Sequence, residues 1–322
     1  MLSYTIRRLL QGLVVFLIVV WFTFTLQYWQ PGGYLAPVYT ACSLHPYPAC
    51  YDPLIAAHGL NHGYFYRLGD YIWGIFWHHS LGYSFKESQP VTKYLAVYIP
   101  RTFWLAFFSV LFSTIIAIPL GIYQAWKRNT IFDYAVTGIG FVLYATPAFI
   151  MAILLIDAFI IHTPHFPVPP SGVDAWALFS QPLAFVIPVL VLTLLQVAGV
   201  SRFMRSQVID VLVQDFIRTA RAKGCSNAQV LFRHTFRNAI GPIVTILGLT
   251  LPALLSGALI VESVFNYSGI GLLTVQASQN LDINVVLGIT VVVTVLTILG
   301  NLLADLGLAL VNPRIRLEGA VR

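Results

Sequence analysis

Long uncharged apolar runs alternate with short polar breaks along the whole chain. One run covers 9–29 and follows Arg7 and Arg8; others cover 102–126, 134–156, 175–201, 238–261 and 283–304. At about 1.5 Å per residue, each approaches or exceeds the length that crosses a hydrocarbon core of roughly 30 Å. The pattern predicts an all-α polytopic membrane bundle of six helices. Tyr28, Trp29, Gln30 and Pro31 follow the first run where a small-residue cleavage site would stand, so that run reads as an uncleaved span. Residues 31–101 are polar and rich in Pro, Gly, Tyr and His, as in an external segment. Within it Leu68, Tyr71, Ile72, Ile75 and Phe76 recur at helical spacing and predict an amphipathic helix along the outer membrane surface. The expected organisation is a first span over 1–30, an external segment over 31–101 and a five-span core over 102–322.

One stretch breaks the apolar pattern. Over 208–238, Ile209, Leu212, Val213, Phe216, Ile217 and Ala220 form one apolar face, while Arg218, Arg221 and Lys223 fall elsewhere. Gly224 supplies a residue able to adopt positive φ and stop the helix. Ser226, with Gln229 three residues on, reads as a capping box that starts the next one. The expectation is helix, glycine bend, helix: a surface suited to a partner's groove, where a plain topogenic loop would need none of these features.

Composition supports the membrane reading, with 58% hydrophobic and 9% charged residues against roughly 25% charged in soluble domains. The net charge of +6 does not point to nucleic acid, because the basic residues sit at the ends of apolar runs rather than among stacking aromatics. Fourteen of the 18 Lys and Arg fall on the side of both termini and of the 202–237 loop. Only Arg67, Lys86, Lys93 and Arg101 fall on the other, so the termini and the loop are expected to be cytoplasmic.

Of the three cysteines, Cys42 and Cys50 lie in the external segment, where an oxidising environment permits a bridge; Cys225 is expected to stay a thiol. His58 and His62 are spaced i, i+4 and His78 and His79 follow, but no Cys, fixed third ligand or H-E-x-x-H frame accompanies them, and surface histidines are the reading preferred over a metal site. Pro119, Pro147, Pro188, Pro242 and Pro252 interrupt spans and favour a bundle that bends. No phosphate-binding loop or catalytic motif is present in the sequence. Asp157, Glu262 and Asp305 sit near span ends, where helix-end carboxylates are the simpler reading than ion coupling. Such a bundle needs an external motor.

The stretch Asp215-Phe-Ile-Arg-Thr-Ala-Arg-Ala-Lys-Gly224, followed by Arg233-His-Thr-Phe-Arg-Asn-Ala239 and Pro242, resembles the ATPase-docking loop of membrane subunits of binding-protein-dependent ABC importers, in the dipeptide and oligopeptide permease group. Arg218 and Thr219 replace the first two residues of the general Glu-Ala-Ala motif, while Ala220 and Gly224 match it. Leu81-Gly-Tyr-Ser-Phe85, Pro90-Val91, Pro100, Ile118-Pro-Leu-Gly121, Glu262-Ser-Val-Phe265, Gly269-Ile-Gly271, Asn312-Pro-Arg-Ile-Arg316 and the opening 4–10 also resemble that group; the segment 32–64 matches least. The resemblance implies a permease subunit in the cytoplasmic membrane of a bacterium or archaeon, paired with a sister permease. Two ATPase subunits would bind ATP and Mg, this chain holding no cofactor, and an external solute-binding protein would deliver peptide. It makes Asp215, Arg218, Thr219, Ala220, Arg221, Ala222, Lys223 and Gly224 the coupling residues, with Ala220 turned toward the ATPase groove. Relatives of the same architecture carry nickel chelates, glutathione or sugar oligomers, and an ion-coupled transporter acting alone is a further alternative.

Overall fold

The computed structural model describes residues 2–29, 35, 38, 42, 51–57, 60–162, 166, 167, 169 and 177–311. Helix α1 spans Leu2–Tyr28, α2 Tyr51–Ala57 and α3 Tyr64–Trp77. A two-stranded antiparallel hairpin follows, β1 (Tyr83–Ser84) pairing Tyr83 with Pro90 and Ser84 with Gln89 of β2 (Gln89–Pro90). Then come α4 (Val91–Trp126), α5 (Ile131–Ala145), and α6 (Ala148–Ile156) with a π-helical turn Asp157–Ile161. Next are α7 (Ala177–Ser180), α8 (Pro182–Leu212), α9 (Asp215–Ala222), and α10 (Asn227–Gln229), which runs through a π-helical stretch Val230–Phe236 into α11 (Arg237–Gly257). The short α12 (Leu259–Val264), α13 (Ile270–Gln279) and the long α14 (Ile283–Val311) complete the described chain.

Among the described residues four helices are long and apolar enough to cross a membrane: Ile6–Tyr28, Val91–Trp126, Pro182–Leu212 and Ile283–Asp305. The pair α5 and α6, bent by 102° at Thr146–Pro147, makes up to a fifth. The run expected to be one span over 134–156, bent at Pro147, is broken there into two helices. Pro147 has no amide hydrogen to continue the ladder, and it forces Thr146 into extended backbone at ψ 120°.

Helix α4 begins at Val91, ahead of the expected start at 102, and so runs through the anticipated domain boundary at 101–102. The charge at Arg101 does not end the helix: it is buried, its Nη1 donates to the Ser268 carbonyl at 3.2 Å, its guanidinium lies 5.4 Å from the Tyr98 ring centre, and its Nε meets no acceptor among the described residues.

The core is layered along α4 and α8. Near the hairpin Val91 and Leu95 meet Ile270, Leu273 and Val285. In the middle Leu105 meets Met151, Phe185, Ala258 and Phe265. At the far end Ala117, Ile122 and Ala125 meet Met204, Val208, Ile217 and Ile243. Ser109 and Ser113 are buried between these layers and return their hydroxyl hydrogens to the Leu105 and Val110 carbonyls at 2.7 and 2.9 Å. Small, internally satisfied residues let membrane helices approach closely where no water is available to compensate a polar atom. A Cβ at Gly121 would collide with the Ser201 carbonyl oxygen and lie 2.7 Å from Met204 Cβ, so α4 and α8 cross there with no room for a side chain.

Glu262 closes the hairpin end. Thr102 Oγ1 donates to its Oε1 at 2.6 Å, and the Gly271 and Leu272 amides donate to its Oε2 at 2.7 and 3.1 Å. Thr102 Oγ1 in turn accepts from the Ile270 amide at 2.8 Å. One buried carboxylate thus caps α13 and fastens α12, α13 and α4 together, in keeping with the helix-end reading. Asp305 pairs with Arg8 at 3.1 Å and ties α14 to α1.

The apolar face expected to lie on the outer membrane surface is α3, but Leu68, Tyr71, Ile72 and Ile75 pack against Phe16, Val20 and Phe24 of α1 and against α14. Thr25 and Tyr64 share a hydroxyl hydrogen bond of 2.6 Å there. Covering α1 removes more apolar surface than leaving both helices bare. Cys42 is buried and disulfide-bonded; its expected partner Cys50 and His58 lie outside the described residues. Among the described residues no three His, Cys, Asp or Glu side chains could hold a metal together, and the His62 ring lies 4.2 Å from that of Tyr66.

Candidate functional site

The charged loop is two short helices joined by a tight corner. The apolar face expected to run unbroken over 209–220 is split, because α8 ends at Leu212 and Gln214 is extended at ψ 150° before α9 begins. Only Ile217 and Ala220 of α9 turn inward; Val213 is 60% and Phe216 39% exposed. Ile217 enters the far core layer with Met204, Val208 and Val230. Ala220 is 6% exposed within this chain, so it faces its own bundle, and the expectation that it points into a partner's groove is corrected. With eight residues, α9 keeps one row against the protein, and Ala220 lies three positions from Ile217 on that row.

Gly224 adopts φ +80°. The Gly224 amide donates to the Arg221 carbonyl at 3.0 Å and the Cys225 amide to the Ala220 carbonyl at 3.2 Å, the paired bonds that end a helix on a left-handed residue. Cys225, a free thiol, packs against the far core layer as the hydrophobic contact of that ending. Ser226 immediately starts the next helix: its Oγ accepts from the Gln229 amide at 3.3 Å, and Gln229 Oε1 accepts from the Ser226 amide at 2.9 Å. In the π-helical stretch that follows, Thr235 donates to the Val230 carbonyl at 3.0 Å.

The outward face carries Asp215, Arg218, Thr219, Arg221, Ala222 and Lys223, all exposed. The Asp215–Arg218 pair is 3.5 Å apart and fully accessible, worth at most about 1 kcal/mol. The face is therefore polar, basic and available, and it is held from behind by two apolar side chains.

Behind the loop a part-buried ion pair, with Asp133 covered and Arg205 partly open, joins α8 to the broken span. Arg205 donates from Nε to Asp133 Oδ1 and from Nη2 to Asp133 Oδ2, both at 2.7 Å. The Asn129 amide donates to Asp133 Oδ2 at 3.0 Å, and Thr130 caps α5. A two-pronged pair fixes orientation as well as distance. Arg202, one turn away, lies over the Phe141 and Tyr144 rings at 5.3 and 5.2 Å.

A family profile described as the binding-protein-dependent transport system inner membrane component matches residues 117–317, a stretch that contains the whole loop, and the N-terminal profile of the same systems matches residues 1–106. The chain belongs to this family. It is 32% identical over 324 residues to the oligopeptide transport system permease protein AppB of Bacillus subtilis, covering 98% of this chain and 99% of that one. It is 33% identical over 342 residues to the dipeptide transport system permease protein DppB of Escherichia coli K12, again covering 98% and 99%. A putative peptide transport system permease protein of Brucella abortus is 31% identical over 322 residues, covering 99% and 100%. As a member of the family the chain is a multi-pass membrane component of a transport system that works with a binding protein, and it is not itself an enzyme.

Of the residues singled out from sequence, 215–224 do form one continuous feature, with Ile217 and Ala220 as its buried anchors. Sequence reasoning missed the Asp133–Arg205 pair, because the partners are far apart in the chain and both looked like charges ending apolar runs. It also missed Phe232, 63% exposed beside the loop; an exposed aromatic within a basic segment was the available signal.

Proposed function

We propose that this chain is a permease subunit of an ATP-driven importer that moves di- or oligopeptides across the bacterial or archaeal cytoplasmic membrane. In this reading six helices span the bilayer with both termini and the α9 loop in the cytoplasm, α11 supplying the span beyond the long helices and the bent pair. A sister permease completes the path, two ATPase subunits dock on the paired loops, and a solute-binding protein delivers cargo from outside. The peptide assignment is supported by the names of the relatives.

The observation that carries the coupling reading is the shape of α9: a short helix with a bare basic face, pinned by Ile217 and Ala220, and bounded by a left-handed glycine and a capping box. Force applied to its outer face passes through Ile217 to α8 and, through Arg205, to the bent α5–α6 pair. The test is site-directed crosslinking in the assembled importer. Ala222→Cys should bridge to the ATPase and respond to ATP, whereas Leu303→Cys on α14 should not. No bridge from Ala222, together with normal uptake by Gly224→Val, would leave the loop as a topological anchor. We also propose that Cys42 pairs with Cys50; mass mapping of the unreduced protein should recover the joined peptides, and a free Cys50 thiol would refute the pairing.

A further inference from the structure

A groove of about 440 Å³ runs between α1 and α14. The two helices are antiparallel: Arg8 pairs with Asp305, Phe24 meets Ile283 and Leu287, and between them Gly12 lies so close to Ile298 that a Cβ there would come within 2.7 Å of its Cγ2. The lining of the groove is graded. Arg8, Gln11, Asn301 and Asp305 stand at one end, and Val15, Val19 and Val293 at the other. Thr294 and Thr297 also line it, but their hydroxyls donate to the Thr290 and Val293 carbonyls of their own helix at 2.7 Å each. The inner part of the groove therefore offers no hydroxyl hydrogen to a ligand.

From Arg8 to Val19 helix α1 rises about 16 Å, close to one leaflet of a hydrocarbon core of roughly 30 Å. The polar end is open. The Arg8 and Asp305 side chains are 47% and 21% exposed, and Gln11 and Asn301 are exposed as well. A carboxylate has about four acceptor positions, of which the Arg8 Nε, 3.1 Å from Oδ2, takes one. Among the described side chains of α1 only the row Phe16, Val20 and Phe24 is buried. The rest of the helix, and with it the groove, borders whatever surrounds the bundle. A spanning helix of another protein would present apolar side chains along the whole slot. Here charges of both signs stand together at one mouth, matching a molecule whose polar atoms are all at one end.

We propose that this groove binds one phospholipid whose headgroup carries a primary ammonium. Its phosphate lies against Arg8 and the side-chain amides of Gln11 and Asn301, all of them N–H donors. Its ammonium, with three hydrogens to donate, meets Asp305. One acyl chain follows Val15 and Val293 inward to Val19. The adjoining Arg8 and Asp305 set the preference: a quaternary headgroup has no hydrogen to donate to the carboxylate, and a purely anionic one sets its charge beside it. The volume lies within the range of ligand sites, about 300 to 1,000 Å³. The lipid braces α1 against α14, where few side chains of α1 are buried. Its assignment to the cytoplasmic leaflet rests on the importer orientation proposed above; the site itself does not.

The test is native mass spectrometry of the purified full chain with dioleoyl phosphatidylethanolamine, phosphatidylcholine and phosphatidylglycerol added in equal amounts. The ethanolamine lipid should be retained about tenfold more tightly than the other two. Asp305→Asn, which keeps the shape and removes the charge, should abolish that preference. Val15→Trp, which fills the apolar end and leaves every headgroup contact in place, should lower retention of the ethanolamine lipid about tenfold. Ile18→Trp, at an exposed position of α1 outside the groove, should change neither. Equal retention of the three lipids by the unaltered chain, or a preference that survives both Asp305→Asn and Val15→Trp, would overturn the proposal. So would a crosslink from Val15→Cys to a second permease chain that displaces the lipid, since the groove would then be a helix interface. Because retention is measured on the chain alone, its absence alongside normal ATP-driven uptake removes this site and spares the importer reading; normal retention without uptake does the reverse.

Discussion

At Glu262 three helices meet with their polar atoms turned inward and matched, whereas at α9 two apolar side chains hold a helix whose polar atoms all face out. The first region is complete within one chain: carboxylate, hydroxyl and two amides satisfy one another in a setting where an unmatched group is costly. The second is incomplete by itself, its one ion pair exposed and its charges unneutralised. The contrast separates a joint whose polar groups are matched within the chain from a surface whose polar groups are left to the surroundings. The Asp133–Arg205 pair lies between these extremes, with Asp133 buried like the first and Arg205 partly open beside the second.

Glu262→Ala attacks the completed joint and should have the largest effect. It strips the acceptor from Thr102 and from the Gly271 and Leu272 amides, and each buried donor left alone costs about 1 to 3 kcal/mol. A loss of roughly 4 kcal/mol is expected in denaturant or thermal unfolding of the purified chain in nanodiscs. A change below 1 kcal/mol would dissolve the contrast.

The ion pair comes next. Asp133→Asn and Arg205→Met should each cost about 3 kcal/mol, since each leaves its partner without a match. The double variant should cost clearly less than the two together, by more than about 1 kcal/mol of coupling. Strict additivity would mean that the pair does not link α5 to α8.

Gly224→Val should cost about 1 to 2 kcal/mol, confined to the corner, because nothing crowds a Cβ there and only the positive φ objects. Gly224→Asn should recover most of it. In a reconstituted importer the valine variant is expected to insert normally yet lose binding-protein-stimulated ATP hydrolysis. Full stimulation would separate the corner's shape from coupling. The smallest effect belongs to Arg221→Ala, whose unfolding should move by less than about 0.5 kcal/mol. A larger loss would show that the outer face is bonded to its own chain.

The apolar runs alone determined that the chain is helical and membrane-embedded, because the length and uniformity needed to cross hydrocarbon are written locally. The corner at Gly224 and the Ser226–Gln229 capping box were equally legible, since caps depend on residues within one turn of each other. Tertiary structure alone decided the rest. Arg101 was read as a boundary, but Ser268, brought to it by the fold, and Tyr98, one turn earlier on the same helix, lie against it inside α4. Ala220 and Phe216 share one apolar face on a helical wheel; packing of α9 against Met204 and Val208 turned one inward and left the other out. Asp133 found Arg205, and Asp282 found Ser84, across separations that no local pattern encodes. A buried charge is tolerated only when a distant partner arrives in the right orientation, and that orientation exists only once the helices have packed.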